Sequence, residues 1–282
     1  MKYGACTWIF GDEGLGSVAA RLSRLDFDGL ELLGDLGRYT ASQVLDTLGE
    51  HDLAVLSLTP ANVDLAHPDE RIRADAVDYY LHLLDFAAEV GKPVVSCHGL
   101  VPRFKAIGDI REEYGHLCSS VKQIAVRAKE LDLRLAMEVL NRYEAHLLNT
   151  ASQALEFVSQ VGSLSVGILL DTYHMNIEEA DPVKAILDVG SRLYLYHVAD
   201  SNRQAVGRGH VDFLGQTRAL RRIGYTGSVI VECSAIGPDP FTPDKGPAWR
   251  DQVWRFAEES LHLLKAFMET AGQHEADAPV GR

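Results

Sequence analysis

Residues 135–150 read LAMEVLNRYEAHLLNT, and the acid at their fourth position decides the fold. Leu135, Ala136 and Met137 have the character of a short buried strand, and Glu138 ends it. A carboxylate left uncompensated in that setting would cost several kcal/mol, so it must be solvated, paired or bound to a cation. The same grammar recurs downstream. VGILLD ends in Asp171, LYLYH ends in His197, and SVIVE ends in Glu232. Four apolar runs each deliver one metal-competent side chain at the C-terminal end.

Working outward from these runs, strand-like and helix-like segments alternate along the whole chain. The first units pair Tyr3 to Trp8 with a helix from Ser17 to Leu25 capped by Ser17, and Gly29 to Leu33 with Ala41 to His51 behind Thr40. Ala54 to Leu58 precedes a long helix from about Asp69 to Val90, where Ile72, Ala76, Tyr79, Tyr80, Leu83, Leu84 and Ala87 recur at spacings of three and four. Pro93 to Cys97 leads to Ile110–Leu131, and Leu133 to Glu138 to Ser152–Val161. Val166 to Asp171 leads to Pro182–Val189, Leu193 to His197 to Phe213–Ile223, and Ser228 to Glu232 to a closing helix from Trp249 to about Thr270. Short apolar strands alternating with helices argue for parallel pairing buried on both faces. Eight such units predict a single-domain α/β fold, the (β/α)₈ TIM barrel, over residues 1–271. Residues 272–282, GQHEADAPVGR, have little to bury and are expected to form a disordered tail. The competing open doubly wound sheet lacks its usual support, because no GxGxxG or GxxxxGK[ST] motif follows any strand.

Composition narrows the function classes. The 282 residues carry 27 Lys and Arg against 40 Asp and Glu, a formal net charge of −13, which argues against nucleic acid and against membrane surfaces as partners. Cys6, Cys97, Cys118 and Cys233 are far apart in sequence and form neither a CxxC motif nor a zinc spacing, so they read as reduced, buried thiols. No apolar run approaches the roughly 18 residues of a membrane span, and the N-terminus lacks the pattern of a secretory signal. The expected location is the cytoplasm.

In a closed barrel, active sites gather at the C-terminal ends of the strands. Glu138, Asp171, His197 and Glu232 would then converge from four consecutive strands. Three carboxylates and an imidazole make a hard, oxygen-rich set suited to Mn²⁺ or Mg²⁺, with Co²⁺ a further candidate, and unlike a thiolate zinc site. Among the polar residues that follow these strands, Glu144, His174 and Arg203 read as substrate contacts. Arg142 reads as pairing with an acid, Glu178 and Glu179 as a solvated charge pair at a helix start, and His146 as either a satisfied loop histidine or a base.

The segments MEVLNRYEAHLLNT, LDTYHMNIEEAD, HVADSNR with its following GRGHVDF, and VIVE resemble the ketose 3-epimerases of the D-tagatose and D-allulose (psicose) type, within the wider xylose-isomerase-like group. The resemblance is dense over about residues 134 to 233 and architectural before that. It implies that Glu138, Asp171, His197 and Glu232 hold one divalent metal, commonly Mn²⁺ or Co²⁺. It also implies that Glu138 and Glu232 are catalytic and move the proton, while Glu144, His174 and Arg203 hold the O1 to O3 end of a sugar. Departures accompany it. Ala199 and Asp200 stand where many of these epimerases read Gly-Glu, and the segments around Trp8, Pro60 and His98, which usually meet the far end of the sugar, do not follow the pattern.

The implied reaction is epimerisation or isomerisation of a ketose or related sugar, with C3 epimerisation favoured. A proton beside a ketone becomes removable when a divalent cation stabilises the developing enediolate, and carboxylates on two faces can remove and return it. The alternative is a metal-dependent lyase acting on an oxidised (3-oxo) glycoside, like the large subunit of a C-glycoside-cleaving enzyme, with His146 or His174 as base and a small partner subunit. A homo-oligomer acting on a small-molecule sugar is the expected assembly under the epimerase reading.

Overall fold

The computed structural model describes residues 1–239 and 241–276. Eight strands, β1 Lys2–Cys6, β2 Gly29–Leu33, β3 Ala54–Thr59, β4 Val94–Cys97, β5 Leu135–Glu138, β6 Val166–Asp171, β7 Leu193–Val198 and β8 Ser228–Val231, pair in parallel and in chain order. Pairing of β1 with β8 closes the barrel. Closure leaves no free strand edge and buries each strand between its own side-chain interior and the surrounding helices, which is why β6 is buried at all six positions. Where β2 and β3 start, the backbones approach so closely that a Cβ on Gly29 would lie 2.1 Å from the Ala54 carbonyl oxygen, so only glycine fits.

Around the barrel run α1 Leu15–Arg24, α2 Ala41–Gly49, α3 Glu70–Glu89, α4 Ile110–Glu130, α5 Ala151–Val161, α6 Thr172–Glu178, α7 Pro182–Val189, α8 Phe213–Arg222 and α9 Trp249–Ala276. The caps follow from local chemistry. Thr40 and Thr150 each accept from the backbone of the third helical residue, Gln43 or Gln153, whose side chain returns the bond, and each such cap contributes about 1 kcal/mol. Asp69 and Asp109 cap α3 and α4, and Pro182 occupies the first turn of α7. Of the residues that gave α3 its periodicity, Ala76, Tyr80, Leu83, Leu84 and Ala87 are buried, Tyr79 is partly buried, and Ile72 in the first turn is exposed.

Besides shifts of a residue or two at element ends, such as β5 starting at Leu135 and α2 ending at Gly49, the structure differs from the sequence expectation as follows. Helix α1 begins two residues before Ser17, behind Gly14, and the Ser17 hydroxyl instead donates to Glu13 one turn back. Strand β1 ends at Cys6, and Thr7–Phe10 winds into a 3₁₀ turn that buries Ile9 and Phe10. An extra short helix, α6, follows β6 directly, because Asp171 caps it. Helix α9 continues to Ala276, beyond the expected end near residue 270. The remainder of the expected tail, residues 277–282, lies outside the described residues. All four cysteines are buried and unpaired. Among the described residues no helix is long and apolar enough to cross a membrane.

Candidate active site

The four strand-end residues meet. One side-chain ligand atom from each of Glu138, Asp171, His197 and Glu232 lies within 4.8 Å of the others, and all four residues are buried. Register explains the convergence. Asp171 sits directly beside His197 in the β6–β7 ladder, and Glu138 beside Leu169, two residues back from Asp171 and on the same face. Between these strands the register shifts, Ile168 pairing with Leu193 and Leu169 with Leu195, so that one extra residue, Tyr194, sits on β7 just before the Asp171–His197 pair. Glu232 follows the last residue of β8, and its backbone N–H donates to Val198 at 3.0 Å.

Each side chain is held from behind. Asp171 accepts from the Tyr173 N–H at 2.6 Å, and Glu232 Oε1 accepts from the Trp8 indole at 2.9 Å. His197 Nε2 lies 3.0 Å from Glu31 Oε2, and Glu31 also accepts from the Thr59 hydroxyl. Burial raises the Glu31 pKa, but His197 and Thr59 outweigh it and hold the carboxyl below its usual value. An ionised Glu31 accepts a hydrogen bond from His197 Nε2–H and turns Nδ1 into the cluster, 3.9 Å from Glu138 and 3.6 Å from Glu232. Burial lowers the ring's pKa, but Glu31 and Glu232 outweigh it and hold the ring well above its usual value; a cation there would take the Nδ1 lone pair in place of a proton. Nothing at the level of strand ends pointed to Glu31. It lies mid-strand in GLELL, and the available signal was an acid flanked by leucines, completely buried in the fold.

The electrostatics show like charges forced together. Burial and the charge of Glu232 push Glu138 well above the carboxylate range, and the same two causes bring Asp171 to about 7. Burial also raises Glu232, yet His197, Arg203 and the Trp8 hydrogen bond more than reverse this and leave it below its ordinary value. His197 Nδ1 and Glu232 Oε2 are buried without a hydrogen-bond partner. Unpartnered lone pairs on an imidazole and a carboxylate, facing two further carboxylates, fit a divalent cation, which would satisfy both and cancel the repulsion.

Glu144, His174 and Arg203 form a second tier beside the cluster. Arg203 donates to Glu144 at 3.1 Å, stands 3.5 Å from Glu232, and lies over the Tyr173 ring at 4.9 Å. Asn141 joins the other two. Its side chain donates to Glu144 at 2.9 Å, and its backbone and side-chain N–H groups both point at His174 Nδ1, at 3.3 and 2.8 Å. Nδ1 is therefore an acceptor, Nε2 carries the proton, and burial lowers the ring's pKa to about 3. Glu138 and Glu232 of the cluster, with Glu144, His174 and Arg203, border one cavity of about 690 Å³ that continues past Thr59, Pro60 and Asn62 to Phe241.

The other loop residues singled out in the sequence bond within the protein, and Glu178, expected to be solvated, has its side chain buried. Arg142 grips Glu178 with two nitrogens, and Glu179 accepts from the start of α5 at Ala151. His146 has both ring nitrogens engaged, with the Arg103 carbonyl and Glu113, each at 2.8 Å. Both His146 nitrogens are thus occupied within the protein, and His174 turns a protonated Nε2 to the cavity, so neither ring presents a free lone pair of the kind the lyase alternative calls for. Asp200, one of the departures noted above, is buried and receives the N–H groups of Ser201, Gly207 and Val211, thereby shaping the loop that carries Arg203.

A closed parallel barrel with an acidic, histidine-bearing rim defines a class, and the family model described as Xylose isomerase-like TIM barrel matches residues 19–258. The chain is 34% identical over 242 residues to the ketose 3-epimerase of Arthrobacter globiformis, covering 83% of each. It is 30% identical over 222 residues to the L-ribulose 3-epimerase of Mesorhizobium japonicum, covering 75% of this chain and 73% of the relative. Among solved structures, the D-psicose 3-epimerase with D-tagatose from Clostridium cellulolyticum superposes with a TM-score of 0.86 at 27% identity, over 95% of this chain and 99% of that one. The chain belongs to the xylose isomerase-like TIM-barrel family and, within it, to the ketose 3-epimerases. It is an enzyme, an epimerase, and none of these three relatives supports the lyase alternative.

Proposed function

We propose that this enzyme inverts C3 of a free ketose and depends on one divalent metal, Mn²⁺ before Co²⁺ or Mg²⁺, held by Glu138, Asp171, His197 and Glu232. The observation that carries the reading is the pair Glu138 and Glu232. They come from β5 and β8, on different sides of the barrel mouth, and both border the same cavity. Carboxylates approaching one carbon from two sides can remove a proton from one face and return one to the other, which is what inversion at a C–H centre requires. When bound, the cation supplies Lewis-acid stabilisation of the charge that develops on the ketone oxygen.

The neighbouring residues bind and orient. Arg203 and the Nε2–H of His174 are donors for the oxygens at the ketone end, and Glu144 accepts from a hydroxyl there while its other partners, Arg203 and Asn141, hold it in place. Burial of the whole group keeps bulk water from the reacting carbon and strengthens each of these contacts. The named relatives act on different ketoses, a psicose and a ribulose among them. A free ketose of five or six carbons is therefore the substrate class proposed.

The test is isotopic. In D₂O with Mn²⁺ or Co²⁺, a ketose substrate should acquire one deuterium at C3 and be returned as a pair of C3 epimers. A panel of fructose, allulose, tagatose and ribulose that acquires no label with either metal overturns the proposal.

A further inference from the structure

One further buried histidine stands in the cavity wall. His98 is the first residue past β4, only 7% exposed, and it borders the same cavity as Glu138 and His174. Its backbone is clamped. The Tyr80 hydroxyl, from α3, lies 3.2 Å from both the His98 N–H and its carbonyl oxygen. The ring is clamped as well, because Nδ1 lies 2.6 Å from the Gly99 carbonyl, which can only accept. Nδ1 therefore carries the proton, and burial lowers the pKa of the ring from its usual value, keeping it neutral. The remaining nitrogen, Nε2, is a lone pair with no protein partner among the described residues.

His174 is wired the opposite way, with Nδ1 accepting and a buried, unpartnered Nε2–H. The two histidines follow β4 and β6, on either side of the β5 strand that ends in Glu138. A molecule lying across Glu138 thus meets a donor on one flank and an acceptor on the other. A sugar hydroxyl both donates and accepts, so it can satisfy either. Arg203, Glu144 and His174 serve the ketone end, which leaves the β3–β4 side for the rest of the sugar.

We propose that His98 is a specificity-determining residue: its Nε2 accepts a hydrogen bond from one hydroxyl of the ketose beyond C3, selecting substrates that place a donor there. The inference rests on the ketose reading above. Once a bound sugar covers it, an acceptor that loses its donor is left unpaired, so the contact discriminates strongly against a sugar lacking that hydroxyl.

The experiment measures kcat/KM, by deuterium exchange at C3, for the ketose that exchanges fastest and for its analogues each lacking one hydroxyl beyond C3. The wild type should lose at least tenfold on one analogue. His98→Phe, which has no acceptor, should lose a similar factor on the parent sugar and show no difference between the two. His98→Gln, whose side-chain oxygen can accept, should recover part of the discrimination. Equal parent-to-analogue ratios in the wild type and His98→Phe, across the series, overturn the inference. Should His98→Phe fail to fold, nitrogen-15 spectra of the wild type with Mg²⁺ decide: the unprotonated Nε2 signal of His98 must move when the sugar binds, and a stationary signal overturns it. Absence of exchange with any free ketose defeats the epimerase reading and this inference together. Exchange with unchanged ratios defeats this inference alone.

Discussion

His197 Nε2 sits 3.0 Å from Glu31 Oε2, a contact that spans the barrel from β7 to β2 and joins residues 166 positions apart in the chain. A carboxylate behind a metal-binding imidazole fixes its tautomer and raises its basicity, and loss of such a partner typically weakens metal binding by about tenfold to a hundredfold. Glu31→Gln should therefore bind Mn²⁺ more weakly by that factor in calorimetric titration, while the metal-free protein keeps its secondary structure. Unchanged affinity in a folded variant would mean that Glu31 does not position His197.

Metal itself should stabilise the protein. Glu138, Asp171 and Glu232 face one another in a buried space, and a cation between them relieves their repulsion. Ligand held only by the folded state adds RT ln(1 + [L]/Kd), about 2.7 kcal/mol at a hundredfold excess over Kd. Mn²⁺ should raise the melting temperature and a chelator should return it. If Mn²⁺, Co²⁺ and Mg²⁺ all leave melting unchanged and elemental analysis finds no metal, the metal assignment of this cluster is wrong.

Glu138→Gln and Glu232→Gln should each abolish nearly all C3 exchange, since glutamine keeps the size and one oxygen of the acid but cannot take up a proton. Cys97→Ser should retain turnover, because Cys97 is a buried thiol pushed up to about 12 by that burial and is silent at neutral pH. Near-normal turnover in either glutamine variant excludes that residue as the acid or base.

Much of this was legible in the sequence because barrel strands are short, apolar and parallel, so a polar residue at a strand end stands out against its neighbours. Glu138, Asp171, His197 and Glu232 each break an apolar run, and they are the four brought together. Glu31 was missed, and Asn141 and the His98 segment were noticed without a role, for reasons that are physical. Glu31 matters through a partner 166 residues away, which no local pattern encodes. Asn141 acts by fixing a tautomer, and His98 by the direction of its ring. Tautomer and direction are set by backbone carbonyls and amides, which look alike at every position of a sequence. The helix ends behaved likewise: Thr40 and Thr150 were readable because the capping box is local, whereas Ser17 has the right chemistry one turn too late.

Acid stability should depend on the buried network around Glu113. Arg103 pairs with both Asp64 and Glu113, and Glu113 also receives His146 Nε2 and the backbone N–H groups of Ile107 and Gly108. The network ties together the loops after β3, β4 and β5, three of the walls around the cavity. Burial alone would raise the Glu113 pKa, but the Gly108 N–H, Arg103, His146 and the Ile107 N–H together lower it from 4.5 to about 2. Because the folded value lies below the unfolded one, the unfolded chain binds the extra proton first as pH falls. The stabilisation from this group is complete above pH 4.5 and is lost on descending through pH 2. A shift of that size corresponds to about 3 kcal/mol at neutral pH, by order of magnitude. Glu113→Gln should thus be less stable than the wild type by about 3 kcal/mol in urea unfolding at pH 7. The gap between the two proteins should narrow steadily as pH falls from 4.5 toward 2. Titration of the rim carboxylates occurs in both proteins and cancels from the difference. A gap that stays constant across this range would show that Glu113 contributes through packing, and not through its charge.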